Sequence, residues 1–273
     1  MSYTIYTEKE IEALREGGKR LARVVSEVAK ATVVGVSTAD LNTLAEKLIR
    51  EKGDTPSFLG YTPKGAKRPF PAAICISLND EVVHGIPNEN PRVIKEGDIV
   101  GLDCGITHKG LITDHAVTVI VYPEQFIPSK VEGSRGAGKG DAKAEKLVSE
   151  TQKALMAGIR AAKGGARVGD ISAAVEEIGA ENGYGIIFEL GGHGVGHVVH
   201  EEPYIPNVGE AGTGPELMPG LVIAIEPMFT EGDDRVRLLP DGYTYATKDG
   251  SRAAHFEHTI LITKGKAEIL TKI

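Results

Sequence analysis

Apolar residues recur at helical spacing near the start of the chain: Ile11, Leu14, Gly18, Leu21, Val25 and Val28. Thr7-Glu-Lys-Glu10 stands just before them in the form of a capping box, so residues 8–32 are predicted to form an amphipathic helix. Gly35 breaks the pattern. Thr38 begins a second helix, with Leu41, Leu44, Ala45, Leu48 and Ile49 on one face, and Gly53 closes it. Residues 54–71 are rich in Pro, Gly and Lys and predict a loop. The period then shortens. Strands are predicted over 73–78, 82–87 (running into a turn), 99–103 and 111–122, with His108-Lys-Gly110 as a hairpin turn between the last two. Loop is predicted over 123–141 and helices over 142–163 and 170–182. A stretch crowded with histidine and glycine follows, then a polar loop over 207–215. Strands are predicted over 221–226, 236–239, 243–246 and 256–263.

This order of elements occurs twice. Gly35-Val-Ser-Thr-Ala-Asp40-Leu41 matches Gly165-Ala-Arg-Val-Gly-Asp170-Ile171, and Glu51-Lys-Gly53 matches Glu181-Asn-Gly183. Further on, Lys95-Glu-Gly97 leading to Asp103 matches Met218-Pro-Gly220 leading to Glu226, and Asp114-His115 matches Glu257-His258. Helix starts recur by chance in any chain of helices and strands, but acids inside apolar strands are rare. Each half, about 8–122 and 142–273, thus offers two strand-borne carboxylates at equivalent places.

Composition narrows the class. A chain of 273 residues with 41% hydrophobic and 25% charged residues has material for a sizeable core. A formal charge of −7 gives no footprint for nucleic acid. Two cysteines, Cys75 and Cys104, argue against a disulfide framework and fit a reducing, cytoplasmic setting. No basic, then apolar, leader opens the sequence, and no apolar run approaches the ~20 residues of a membrane span.

The chemistry concentrates around Gly191-Gly-His193-Gly-Val-Gly196-His-Val-Val-His200-Glu-Glu-Pro203. Glycines flanking His193 let the backbone approach a ligand closely. Alone, such a histidine is often just hydrogen-bonded in a turn, and His197 and His200 compete with it as ligand. Alone, Asp103 or Glu226 reads as a strand end facing water. Four acids at matched positions read differently, because buried carboxylates need a partner or a metal. With one imidazole they would offer −4 against the +4 of two divalent cations. Such ions, roughly 3.5–4 Å apart, can share and deprotonate a water. An oxygen-rich donor set of this kind suits Co, Mn, Fe or Zn without selecting among them.

The residues resemble the type I methionine aminopeptidases of the pita-bread fold. The resemblance lies in Cys75-Ile-Ser-Leu-Asn-Asp-Glu-Val-Val-His84-Gly-Ile-Pro87, in Asp103 with Asp114, in Gly192-His193-Gly-Val-Gly196 and His200-Glu-Glu-Pro203, in Ile225-Glu226-Pro-Met228 and in Phe256-Glu257-His-Thr259. It implies an α+β fold of two pseudo-symmetric halves, with a central antiparallel sheet covered by helices. It also implies a single catalytic domain over 1–273, with 123–141 as a loop insertion. Asp103, Asp114, His193, Glu226 and Glu257 would bind two divalent metal ions, with Asp114 and Glu257 bridging. His200 would hydrogen-bond the scissile carbonyl, His84 would contact the substrate near the scissile nitrogen, and Glu226 would also handle protons. Phe70, Cys75 and Tyr243 would wall the methionine pocket. The implied reaction releases an N-terminal methionine that precedes a small residue. Its partners would be peptide or nascent-chain N-termini, with the ribosome as a candidate. Neither a membrane nor a specific nucleic acid would be involved, and the protein would be a monomer.

Two alternatives share the fold. Xaa-Pro peptidases place their histidines so that His197 would be the ligand and position 204 a second histidine, but this chain has Tyr204. Non-catalytic pita-bread binding proteins have lost ligands that are intact here. Type II enzymes insert a helical segment between the last two acids, and the interval from Glu226 to Glu257 is too short for it. Departures from the type I pattern are the length of 123–141, His115 after Asp114, Val199 before His200, and Tyr243 where Trp is common. The run 133–140 looks like a phosphate loop but carries Gly140 where Ser or Thr is required. No G-x-S-x-G elbow occurs, and the cysteines lack zinc-ligand spacing.

Overall fold

The structure is a computed structural model and describes residues 3–122 and 141–273. The loop expected over 123–141, except Asp141, and the glycine-rich run 133–140 lie outside the described residues. Four helices are described: α1 (Glu8–Ala31), α2 (Thr38–Arg50), α3 (Ala142–Ala161) and α4 (Val168–Asn182). The strands of the first half are β1 (Thr55–Pro56), β2 (Cys75–Leu78), β3 (Glu81–Val83), β4 (Ile99–His108) and β5 (Leu111–Ile120). Those of the second half are β6 (Gly185–Ile186), β7 (Gly191–Gly194), β8 (Glu201–Pro206), β9 (Val222–Ile225), β10 (Met228–Thr230), β11 (Val236–Leu238), β12 (Tyr245–Thr247), β13 (Ala253–His255), β14 (Glu257–Leu261) and β15 (Glu268–Ile269).

Local chemistry explains the helix ends. The Thr7 hydroxyl accepts from the Glu10 N–H while Glu10 accepts from the Thr7 N–H, which completes the capping box. Such a cap stabilises a helix start by about 1 kcal/mol. Asp141 was expected in the loop, but it caps α3 by accepting from the Lys143 and Ala144 N–H groups. Lys109 and Gly110, at φ 51° and 82°, make the tight turn that joins β4 to β5.

The main sheet runs β1-β4-β5-β14-β9-β7-β8, with β2 also on β4 and β15 also on β14. Its described pairings are antiparallel. Alternation along the strands gives each face its role. Val100, Leu102, Cys104 and Ile106 of β4 pack with Leu21, Val25, Val28, Leu41, Ala45 and Ile49 of α1 and α2. Ile223 and Ile225 of β9 and Ile260 of β14 pack with Leu155, Ile159 and Ile171 of α3 and α4. The helices therefore cover one face, and burial of each such side chain stabilises the layer by ~1.5–3 kcal/mol. The opposite face carries the acids.

The internal repeat is visible in the backbone. Gly35 and Gly165 both have positive φ (91° and 85°), as do the matched pair Gly97 and Gly220 (84° and 94°). Ser37 bridges Val93 just as Arg167 bridges Glu216, at the equivalent places of the two halves. In the main sheet the halves join by the pairing of β5 with β14, and outside it β3 pairs with β12.

Candidate metal centre and its cleft

Sheet register brings the acids together. Ala116 of β5 lies opposite Asp103 on one side and opposite Glu257 on the other. Asp114, two residues from Ala116, shares that face. His258 pairs with Ile225, and continuing that register sets Glu226 opposite Glu257. Gly194 pairs with Ile223, so His193 falls beside Ala224, on the face of Glu226. Oxygens of Asp114 and Glu257 and a ring nitrogen of His193 lie within 4.8 Å of one another. His193 Nε2 is 3.5 Å from Glu226 Oε1.

The glycines around His193 are obligatory. A Cβ on Gly192 would lie 2.2 Å from the Ala224 carbonyl oxygen, and one on Gly194 would lie 2.3 Å from that of Glu202. The β7 strand thus owes its place to close backbone contacts with its neighbours and not to strand propensity. At Gly196 (φ 152°) a Cβ would come within 2.0 Å of the Tyr6 hydroxyl. That hydroxyl lies within 3.2 Å of the Val195 carbonyl and of both Glu201 carboxylate oxygens. Glu201 also accepts from the N–H groups of His197 (2.6 Å) and Val198 (3.1 Å). The N-terminal segment so ties down the turn between His193 and His200.

The donor set fits cations. Among the described residues, those lining the cleft include Asp103, Asp114, Glu226 and Glu257 but neither Lys nor Arg. Asp103 Oδ1 and Glu257 Oε1 are buried without a hydrogen-bond partner among the described residues. Burial, and then the neighbouring acids, push the carboxyls of Asp103, Glu226 and Glu257 well above the usual range. Burial raises Asp114 to about 7, against the N–H of His115 that it accepts at 2.9 Å. Crowded, dry carboxylates of this kind are costly until positive charge joins them. His193 is prepared as a neutral ligand. Its Nδ1 lies 2.9 Å from the Gly194 carbonyl, which can only accept, so Nδ1 carries the proton and Nε2 offers a lone pair. Burial holds its pKa down at about 3.

The remaining sequence-predicted residues divide cleanly. His84 lines the cleft in left-handed backbone (φ 59°), and burial lowers its pKa to about 4. His200 stands at the mouth, with its ring 4.4 Å from that of His193 and nearly perpendicular to it. Phe70, Cys75 and Tyr243 line the apolar end, and the Phe70 and Tyr243 rings meet edge-on at 5.1 Å. Cys75 is also the register partner of Asp103. His197, a rival ligand in the sequence, turns away: it is exposed, stacks on Tyr6 and pairs with Glu10 at 3.1 Å. His115 lies on the helix-covered face, stacked on His258 at 4.7 Å, where its Nδ1 donates to the Glu257 carbonyl at 2.6 Å. It steadies the backbone behind the acids and does not enter the cleft.

Sequence reasoning passed over three groups. Phe58 and Tyr61 line the cleft from a segment read only as loop. His255 is buried with Nε2 3.4 Å from Glu226 Oε2. Its position two residues before Glu257, in period-two alternation, was the available clue.

A two-halved sheet that gathers four acids and a neutral imidazole beside an apolar pocket has the make-up of a candidate metal centre with a substrate pocket at its side. The chain belongs to metallopeptidase family M24, whose model matches residues 12–264. Over its whole length it is 44% identical to all of the methionine aminopeptidase of Aquifex aeolicus. It is 38% identical to methionine aminopeptidase 1 of Bacillus subtilis, with 98% of each chain covered. The crystal structure of methionine aminopeptidase from Thermotoga maritima superposes with a TM-score of 0.89 at 42% identity, with 100% of both chains covered. A prolidase from Pyrococcus horikoshii shares the fold at a TM-score of 0.70 and 24% identity, and the match covers 98% of this chain and 63% of that one. Among the described residues no helix is long and apolar enough to cross a membrane.

Proposed function

We propose that the chain hydrolyses the peptide bond after an N-terminal methionine when the next residue is small, as one catalytic unit built from both halves. The observation that supports this most directly is the buried acid cluster, with no Lys or Arg among the described residues lining it, in a chain matched end to end by methionine aminopeptidases. Asp103, Asp114, His193, Glu226 and Glu257 would hold two divalent cations. When bound, such cations lower the pKa of water and polarise a carbonyl oxygen.

The chain's own residues do the rest. Phe70, Cys75 and Tyr243 receive the methionine side chain and exclude water from it. His200 donates a hydrogen bond to the scissile carbonyl oxygen, where charge develops. His84 contacts the scissile nitrogen from the other wall. Glu226, with its Oε1 3.5 Å from His193 Nε2 at the edge of the cluster, passes a proton toward the departing amine. Substrates are peptide or nascent-protein N-termini, met in the cytoplasm and at the ribosome, and the working unit is a monomer.

The test is release of methionine from Met-Ala-Ser after chelation and add-back of Mn, Fe, Co or Zn, with Ala-Pro as control. Release of methionine and no cleavage of Ala-Pro is expected. Cleavage of Ala-Pro alone would assign an Xaa-Pro peptidase. No turnover with any of the metals would leave a binding protein. Anomalous scattering at the metal edges would count and identify the ions.

A further inference from the structure

We propose that Tyr61 is a positioning residue that fixes the tautomer of His200, so that Nε2–H and not a bare lone pair faces the cleft. The inference rests on the role of His200 given above. The Tyr61 hydroxyl lies 3.0 Å from His200 Nδ1, with the two rings 5.6 Å apart and tilted by 55°. Both residues line the same cleft as the acids.

Tyr61 is held in place for this task. Its N–H donates to the Phe58 carbonyl at 2.9 Å, and its own carbonyl accepts from the Phe70 N–H at 2.8 Å. The segment between β1 and β2 is therefore pinned on both sides of the tyrosine. Phe58 and Phe70 are themselves buried, which anchors the pins.

A neutral imidazole has one proton to place. If the phenol donates to Nδ1, the proton sits on Nε2. If Nδ1–H donates to the phenol oxygen, Nε2 is left as an acceptor and the phenol proton is left to solvent, because the pair lies exposed at the cleft mouth. Among the described residues His200 Nδ1 is the one hydrogen-bond partner of that hydroxyl. A substrate carbonyl can only accept. The first arrangement satisfies the phenol and leaves His200 with the donor that the carbonyl needs. His193 reaches the complementary state by the mirror device: its Nδ1 proton goes to a carbonyl and its Nε2 stays bare. Two neighbouring imidazoles are thereby set in opposite tautomers, one to ligate and one to donate.

The test combines spectroscopy and kinetics on the full chain. Two-bond proton–nitrogen correlation spectra of histidine-labelled protein, metal-free and zinc-loaded, report which ring nitrogen of His200 is protonated. The His200 signals are assigned by their loss in His200→Gln. The wild type is expected to show a bare Nδ1 and a protonated Nε2, and Tyr61→Phe to shift toward the other tautomer. Tyr61→Phe should lower kcat on Met-Ala-Ser on the order of tenfold, with KM changed less than about twofold, as for loss of one hydrogen bond. In a His200→Ala background the same change should alter kcat less than about twofold. A protonated Nδ1 in the wild type, or unchanged nitrogen shifts in Tyr61→Phe, overturns the proposal. So does a rise in KM at constant kcat, which would make Tyr61 a pocket wall only. If the wild type releases no methionine with any metal, the functional reading fails, and the spectra still decide the tautomer.

Discussion

Replacing Asp114 by Asn should stabilise the metal-free protein and destabilise the metal-loaded one. Asp114 sits 3% exposed among three other acids, and burial raises its pKa from 3.8 to about 7. An acid whose folded pKa is raised binds more protons folded than unfolded between those two values. Stability therefore falls as pH rises through that window, and the full penalty stands above it. That full penalty corresponds to roughly 4 kcal/mol at pH 8. At pH 5.5 only the interval above 3.8 counts, and roughly 2 kcal/mol remains. An asparagine escapes this penalty while its oxygen can still accept the His115 N–H. The total pH dependence would mislead. Burial pushes His84 and His115 down to about 4 and His193, His255 and His258 down to about 3, and these groups move stability in the opposite direction. Both proteins carry those histidines, so the difference between them isolates Asp114. The assay is urea denaturation with chelator at pH 8 and pH 5.5, repeated with manganese. In chelator the variant should exceed the wild type by a margin that shrinks on acidification. With metal at a hundredfold over its Kd the wild type gains about 2.7 kcal/mol, which the variant is expected to forfeit with the carboxylate charge at 114. A variant less stable than wild type in chelator at pH 8 would refute the reasoning, because the acids would then not be crowded in one dry site.

Three other outcomes are expected. His200→Ala should retain the wild-type metal content by elemental analysis and lose on the order of 10²–10³ in kcat, as when a donor to a developing oxyanion is removed; metal loss would mean the histidine roles are exchanged. Gly192→Ala places a Cβ 2.2 Å from the Ala224 carbonyl, so a cost of about 1–3 kcal/mol or more should appear in thermal melts together with weaker metal binding by calorimetry. Phe70→Ala removes the ring that meets Tyr243 edge-on and should cost about 3–5 kcal/mol of stability; it should also lower kcat/KM for Met-Ala-Ser more than it lowers metal affinity, and an unchanged kcat/KM would take Phe70 out of the pocket.

Much of this arrangement is legible in the amino-acid sequence alone. The helix starts at Thr7 and Thr38 and the hairpin at Lys109-Gly110 are local events, set by side chains within a few residues, and they were legible. The repeat was legible too, because left-handed glycines and strand-borne acids mark both halves. What escaped depended on tertiary contact. β7 is Gly-Gly-His-Gly and has no strand propensity; it is extended because β8 and β9 hold it. β4 continues five residues beyond Asp103, through Cys104 to His108, where sequence reading stopped at the acid. Short strands such as β10 and β13 carry too few residues for a period to emerge. Tyr61 was hidden in a Pro- and Lys-rich segment whose composition says loop and nothing about direction. His115, conspicuous beside Asp114, proved to face the helices, as period-two alternation from an inward Asp114 requires.

The contact between Tyr6 and Gly196 has a bearing on descent. The phenol fills the space that any larger residue at 196 would need, and Glu201 in turn secures the phenol. Substituting one of the three positions alone either leaves a hole or forces a collision, so drift at each is vetoed by the others. Related chains should therefore inherit this trio together or replace it together, and a lineage bearing bulk at 196 beside an intact tyrosine would show that the turn can be secured another way.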